Sequence, residues 1–367
     1  MNLTPATVLA GALLLAALWL GWLWLVTWRY RVRAAAAEQL WAVAEDGWRI
    51  AVYYRPASIR RFREPVLLCH GFAINRHTFD FDPPYSLAHA LSEAGFDCFT
   101  VEWRGTGASW RPPRGLFRSF TVDDHIRLDA PALIRLALER TGAERVFWVG
   151  HSLGGMVGYA AAQGPEGTRL RGLVALGSPV FYRYQTWVRR AMEVGALAAW
   201  PYGLRYRFLG LTVAPFLGYL RLPLADLIIN PAHVAPAMQR RVVVRAMSSI
   251  GRRVLLQLRD WVVNDAFRSV DGSVDYREGI RRLRLPLLVS GGSQDRLAPP
   301  PVLQAQYDLA GSEDKTLVIF GRDRGDREDY GHADLVYGQG APAEVYPLIR
   351  RWLEEHATRM DSPGPAA

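Results

Sequence analysis

Ser152 stands in Gly150-His151-Ser152-Leu153-Gly154, a hydroxyl with a glycine two residues away on either side. Residues 146–149 before it are apolar and read as a buried strand, and residues 153–163 after it suit a helix. A strand that turns at once into a helix forces its corner residue into a strained backbone conformation. Such a corner is tolerated where close neighbours lack a Cβ, and Gly150, Gly154 and Gly155 supply that room. The hydroxyl is thereby lifted to a helix N-terminus, whose free N–H groups and dipole favour a developing oxyanion. That combination suits a nucleophile for acyl transfer. Taken alone, the five residues read equally as a glycine-rich turn with a surface serine. The chemistry therefore requires a backbone donor upstream, then a carboxylate and a histidine downstream.

All three are present, in that order. The apolar run 65–69 ends in His70-Gly71-Phe72-Ala73, where a glycine lets the backbone approach a ligand and the Phe72 N–H can meet a substrate oxygen. The strand 285–290 runs into a loop bearing Asp295, the place at a strand's carboxyl end where an acid that orients a histidine belongs. His332 follows within Tyr330-Gly331-His332-Ala333-Asp334. The order Ser152, Asp295, His332 is that of one known triad arrangement. Asp334 is a rival acid, but it would have to fold back on a neighbour two residues away, so it reads as a salt bridge or helix cap. His70 and His151 flank the corner where backbone geometry, not proton transfer, is required.

The elements that must hold these groups alternate between strand and helix. Residues 40–44 and 49–54 read as a hairpin around Asp46-Gly47, 86–93 as a helix, 96–101 as a strand, and 121 to about 140 as a helix opening on a capping-box spacing. Strands are expected at 170–176 and 315–320, and a closing helix at 341–355. The core thus covers 38–182 and 283–357. Between them the alternation stops, and 183–282 is apolar, aromatic and broken by prolines, which reads as a helical lid. Trp187, Trp200 and Phe216 are its candidate substrate contacts, although such residues also serve a subdomain's own core. Residues 358–367 read as a disordered tail.

With 367 residues, 50% of them hydrophobic, the chain can bury a large core. The net charge of +9 is carried by arginines spread along the chain, so no basic element points to nucleic acid. Residues 6–28 contain no charge and would span roughly 34 Å as a helix, enough to cross a hydrocarbon core of about 30 Å. Trp19, Trp22, Trp24, Trp28 and Tyr30 crowd its C-terminal half like an aromatic belt. A cleaved signal would want positive charge before the apolar run, whereas Arg29, Arg31 and Arg33 follow it. Residues 1–33 therefore read as an uncleaved anchor with the remaining chain facing the cytoplasm, and Arg60, Arg61 and Arg63 add attraction to an anionic leaflet. Cys69 and Cys98 end core strands and read as buried thiols.

His70-Gly71-Phe72, Gly150 to Gly155, Ser293-Gln294-Asp295 and Gly331-His332-Ala333-Asp334 together resemble the α/β-hydrolase family over roughly residues 40–355. The His-x-Asp-x-x-x-Gly spacing from His332 to Gly338 and the long lid look like the subgroup of acid lipases and polyhydroxyalkanoate-synthase-like proteins. That resemblance implies an α/β fold with a mostly parallel sheet between helices. It implies Ser152 as nucleophile, His332 as base then acid, Asp295 as its orienter, and the Phe72 and Leu153 N–H groups as an oxyanion hole. The synthases resembled use cysteine where this chain has Ser152. Branches with aspartate at the corner, the dehalogenases and epoxide hydrolases, are excluded. The expectation is a membrane-tethered serine hydrolase of esters with apolar acyl groups, without metal or cofactor. An acyltransferase and a silent lipid- or partner-binding protein are the alternatives, and the oligomeric state is open.

The arginine bias predicts topology. A reporter fused after Ala367 should be active only in the cytoplasm, and N-terminal sequencing should find residues 1–28 retained. A processed product beginning near residue 37 outside the cytoplasm would reverse both expectations.

Overall fold

The computed structural model describes residues 4–32, 37–110, 119–183, 189–190, 192–193, 206–219, 228–249 and 251–361. Helix α1 (Pro5–Arg29) leads into a hairpin of β1 (Glu38–Val43) and β2 (Arg49–Arg55), which turns at Gly47 with φ +81°. Then come β3 (Val66–Cys69), α2 (Leu87–Ala94), β4 (Cys98–Glu102), α3 (Ala130–Thr141), β5 (Val146–His151), α4 (Leu153–Ala161) and β6 (Leu170–Leu176). After an interval containing α5 (Tyr206–Val213), α6 (Pro236–Arg245) and α7 (Arg252–Asn264), the core resumes. It continues with β7 (Leu287–Gly292), α8 (Pro300–Leu309), β8 (Lys315–Phe320) and α9 (Val345–His356).

The eight strands form one sheet in the order β1-β2-β4-β3-β5-β6-β7-β8, antiparallel at β1/β2 and β2/β4 and parallel from β4 to β8. Side chains alternate through it. Trp148 joins the cluster containing Leu133, Ala137 and Met156, whereas Phe147 and Val149 join Leu91, Ile349 and Trp352 on the other face. Strands buried on both faces are what continuous apolar runs encode. Cys98 pairs in register with Val66, three residues from Cys69, so the two buried cysteines stand about 10 Å apart along the ladder, beyond disulfide reach.

From β3 the chain goes one way to β4, then returns across β3 to β5. Loops leaving β3 and β5 therefore diverge, and a crevice opens at their carboxyl ends. Cys69 pairs with Gly150 there, which brings Gly71 and Ser152 together. The corner glycines have no spare space. A Cβ on Gly154 would lie 2.0 Å from the Cys69 carbonyl oxygen, one on Gly155 2.1 Å from Ser178 Oγ, and one on Gly150 2.3 Å from Gly155 N.

Two stretches differ from expectation. The helix expected from 121 to about 140 opens with Asp124 accepting from the Thr121 N–H, but His125–Asp129 forms a π-turn before α3 begins. Pro131 has no N–H to give the residue-127 carbonyl, so the ordinary ladder cannot close there. The segment expected to be a disordered tail from 358 is held as far as 360: Arg63 N donates to Thr358 O and Met360 N to Arg61 O, each at 2.9 Å. Trp187 and Trp200 lie outside the described residues.

Steric closure at the corner predicts a graded response. Gly154→Ala should cost several kcal/mol, beyond the ordinary overpacking range of about 1–3 kcal/mol, because its neighbour is backbone. Gly142→Ala at φ +69°, where a Cβ meets nothing within 4 Å, should cost only about 1 kcal/mol. Denaturant titration of both variants checks the contrast.

Candidate active site

Ser152 has φ +54° and ψ −121°, a conformation that side chains rarely adopt. It is held there because its N–H donates to Leu176 O of β6 at 2.8 Å while its carbonyl accepts from Gly155 N and Met156 N at 3.1 Å. Leu153 opens α4, so its N–H belongs to the first turn that lacks intrahelical acceptors.

The second backbone donor is aimed by His70. That ring is buried, and its Nδ1–H donates to Gly71 O at 2.8 Å, while Nε2 accepts from Trp103 N at 3.3 Å. In a trans peptide the C=O and the next N–H point in opposite directions. Tying down Gly71 O therefore turns the Phe72 N–H away from His70. Gly71 also lets this loop close on the corner, since a Cβ there would stand 2.9 Å from Ser152 Cβ. Burial lowers the His70 pKa to about 3, which keeps the ring a neutral post.

The carboxylate and the histidine arrive from opposite sides of β8. Asp295 follows β7 and is buried; its Oδ1 accepts from Leu297 N and Ala298 N, both at 2.8 Å. Its Oδ2 accepts from His332 Nδ1 at 2.8 Å. With the proton on Nδ1, Nε2 is the basic nitrogen of the ring. Gly177, at φ +53° beyond β6, lies under the pair: a Cβ there would be 3.1 Å from Asp295 Oδ2 and 3.2 Å from His332 Nδ1. The loops also bind each other, Gln294 N donating to Tyr330 O at 2.9 Å.

His151 has a role that the sequence did not disclose. Its Nε2–H donates to the His332 carbonyl at 3.1 Å, with the two ring centres 4.8 Å apart. Burial, then the neighbouring His332, lowers its pKa to about 3. It thus steadies the backbone of His332 without carrying charge. A second concealed feature is the Arg104 ion pair with Asp129, at 2.6 Å and almost wholly buried, which Asp46 and His125 extend. Asp46, Arg104 and the His125–Asp129 pair come from three separate stretches of sequence and gave no local signal.

Asp334 stands apart from the His332–Asp295 pair. One oxygen accepts from Gly331 N at 2.8 Å and the other from Asn230 N at 3.0 Å, so it ties the end of the inserted region to the His332 loop. Phe216 is half exposed, with its ring stacked on Trp22 of α1 at 6.5 Å. A cavity of about 20 Å³, room for one water, lies between Phe72, Leu153, Trp103 and His125, and Phe216 does not line it. A larger cavity of about 290 Å³ lies beside Ile134, Ala160 and Tyr276, and none of Ser152, Asp295 and His332 lines it. Among the described residues no three His, Cys, Asp or Glu side chains are grouped to hold a metal ion.

A family model described as the alpha/beta hydrolase fold matches residues 64–218. The tear acid lipase-like protein of Mesocricetus auratus is 31% identical over 140 residues, 34% of this chain and 34% of that protein. The PhaC subunit of the poly(3-hydroxyalkanoate) polymerase of Haloferax mediterranei is 22% identical over 329 residues, 83% of this chain and 62% of its own length. The alignments with the first curated relatives, of which gastric triacylglycerol lipase of Rattus norvegicus is another, span about a third of their length. A soluble variant of monoglyceride lipase from Saccharomyces cerevisiae, solved with a substrate analogue, superposes with a TM-score of 0.62 at 18% identity, covering 90% of this chain and 98% of that one.

Burial raises the Asp334 pKa from 3.8 to about 7. Between those values the folded chain holds a proton that the unfolded chain has released, so Asp334 subtracts stability as pH rises from about 4 to 7. An asparagine can keep one oxygen toward both N–H groups and does not titrate. Asp334→Asn should therefore gain Tm relative to wild type progressively over that window. Parallel melting curves from pH 4 to 8 check it; a constant difference refutes the assignment.

Proposed function

We propose, from the premise that this chain has the α/β-hydrolase fold, that it is a membrane-anchored serine hydrolase cleaving carboxylic esters with apolar acyl groups. The observation that carries this reading is the His332 Nδ1–Asp295 Oδ2 hydrogen bond of 2.8 Å, tied through the His151 ring to the corner where the next residue, Ser152, stands at φ +54° on a helix N-terminus. Asp295 fixes the tautomer, so His332 Nε2 takes the proton from Ser152 Oγ as that oxygen attacks the ester carbonyl. The tetrahedral oxyanion is met by the N–H groups of Phe72 and Leu153. His332 then passes its proton to the departing alcohol, leaving an acyl-enzyme on Ser152. Water attacks that ester by the same steps in reverse order of roles. Lipase names among the partial relatives support an apolar acyl group.

The anchor reading rests on α1, 25 residues long with a mean hydropathy of 2.1 over its apolar window and only 6% of that window buried. Arg29 and Arg31 at its end favour the cytoplasmic side for the domain that follows.

An activated serine reacts with a fluorophosphonate, and a passive one does not, so labelling of wild type but not of Ser152→Ala tests the nucleophile. Ser152→Ala and His332→Ala should each lower kcat by several orders of magnitude, and the double variant little further, because the two act as a unit. Asp295→Asn should cripple turnover while Asp334→Asn leaves most of it; the reverse pattern would mean the wrong acid. Each methylene removed from water contributes up to about 0.8 kcal/mol, so octanoyl esters should exceed acetyl esters at least tenfold in kcat/KM. A preference for acetyl would defeat the apolar specificity.

A further inference from the structure

Helix α1 is docked along its second half to the inserted region, not held out as a free tether. Leu23 and Val26 are buried against Leu211, Ala214 and Val244. Trp19 Nε1–H donates to Thr212 Oγ1 at 3.3 Å, and Trp22 stacks on Phe216. Arg245 closes the lower end. Its Nη2 donates to Thr27 O at 2.9 Å and its Nε to Tyr30 O at 3.2 Å, which takes up carbonyls that a helix leaves open in its last turn. The first half has no such cover: Leu9, Leu13 and Leu14 are exposed.

This docking fixes depth. Trp19 precedes Arg29 by about 15 Å of helix. With α1 across a bilayer, which rests on the reading under Proposed function, Arg29 sits among the headgroups. Whatever touches Trp19 and Trp22 then lies below them, in the hydrocarbon. Thr212 and Phe216 touch those residues. Phe216 is 52% exposed and Tyr219 79%, large rings that no part of the described chain covers further. Arg240 lies over the Tyr219 ring at 4.7 Å and donates to Leu217 O at 2.9 Å, which holds this end of the edge to α6.

We infer that the edge formed by residues 211–219 is immersed in the lipid bilayer beside α1, with Phe216 and Tyr219 against acyl chains. A bilayer is the occupant favoured over a second copy of the chain. Residues 211–219 carry no charged side chain and lie against the apolar α1 through Trp19, Trp22, Leu23 and Val26, so the edge shares the surroundings of a helix that is itself almost wholly unburied by the chain. The inserted region is then a membrane-facing element, and the crevice above Ser152 opens toward the bilayer surface.

The test uses the full chain reconstituted in phosphatidylcholine vesicles. Cys69 and Cys98 are buried, so an environment-sensitive thiol label reports single introduced sites. The sites are Phe216→Cys and Tyr219→Cys on the edge, Leu13→Cys in α1, and Ile59→Cys, exposed near the start of β4 at the opposite end of the sheet. Arg60 and Arg61 also lie there, away from α1 and not at a leaflet beside it as their charge suggested. Nitroxide-bearing lipids should quench the labels at 216, 219 and 13 at least threefold more than the label at 59, and aqueous iodide should do the converse. Quenching of 13 by lipid with 216 and 219 open to iodide would overturn the inference and leave the anchor standing. Shielding of 216 and 219 from both quenchers would overturn it in favour of a second copy. Iodide access at 13 would remove the anchor reading itself, and this inference with it. Tyr219 is 79% exposed, so its variant keeps the test informative if replacing Phe216 perturbs docking.

Discussion

Around Ser152, backbone has to touch backbone. The corner between β5 and α4 rests on the end of β3 so closely that Gly154 has the Cys69 carbonyl where a methyl group would be. Gly155 packs as closely on the Ser178 side chain, and Gly71 on the Ser152 Cβ. These contacts let three consecutive strand ends, β3, β5 and β6, deliver a peptide N–H, a hydroxyl and a glycine platform to one crevice. They also hold Ser152 at a positive φ, since its N–H is bonded to Leu176 across the sheet and cannot rotate without breaking that bond. The strain is local, and the whole sheet opposes its release.

Legibility in the sequence followed the range of the forces involved. Ser152, Asp295 and His332 stand beside strong strand signals, and an apolar run ending in glycine or aspartate is a local pattern. The roles of His70 and His151 were readable only as far as position. What they do with their ring nitrogens depends on Gly71 O and on His332 O, the second of these 181 residues away. Arg104 and Asp129 form a buried pair 25 residues apart, across the π-turn region, and neither looks unusual in its own neighbourhood. The π-turn itself was foreshadowed by Pro131, whose missing N–H was in plain view.

Aromatic content was the ambiguous signal. Phe216 stood out for being aromatic in an apolar insertion, and the same property suits a substrate channel, a subdomain core or a surface against another apolar helix. The structure places its ring on Trp22. Nothing in the spacing of either segment could pair them, because one precedes the whole sheet and the other interrupts it. Asp295 and Asp334 show the opposite case, in which local spacing alone already favoured the first over its rival. Asp295 directs one oxygen to His332 and saturates the other with two N–H groups, whereas both oxygens of Asp334 are taken by the backbone of Gly331 and Asn230.

Arg245 is bonded on two sides. Its guanidinium holds the carbonyls of Thr27 and Tyr30, and its own carbonyl accepts from Asn75 Nδ2 at 2.7 Å, while Ser248 N reaches Ala73 O at 2.8 Å and Ile74 bridges to Met247. The loop from Gly71 to Asn75 is thus stitched to the same turn that grips the N-terminal helix. Severing the chain behind Tyr30 would spare every strand, yet it would leave a buried-edge guanidinium without its two acceptors, one residue-width from the loop that presents the Phe72 N–H. Such a cut would loosen the turn on which that loop rests, so the seat of the N-terminal helix and the support of the Phe72 N–H meet at one arginine.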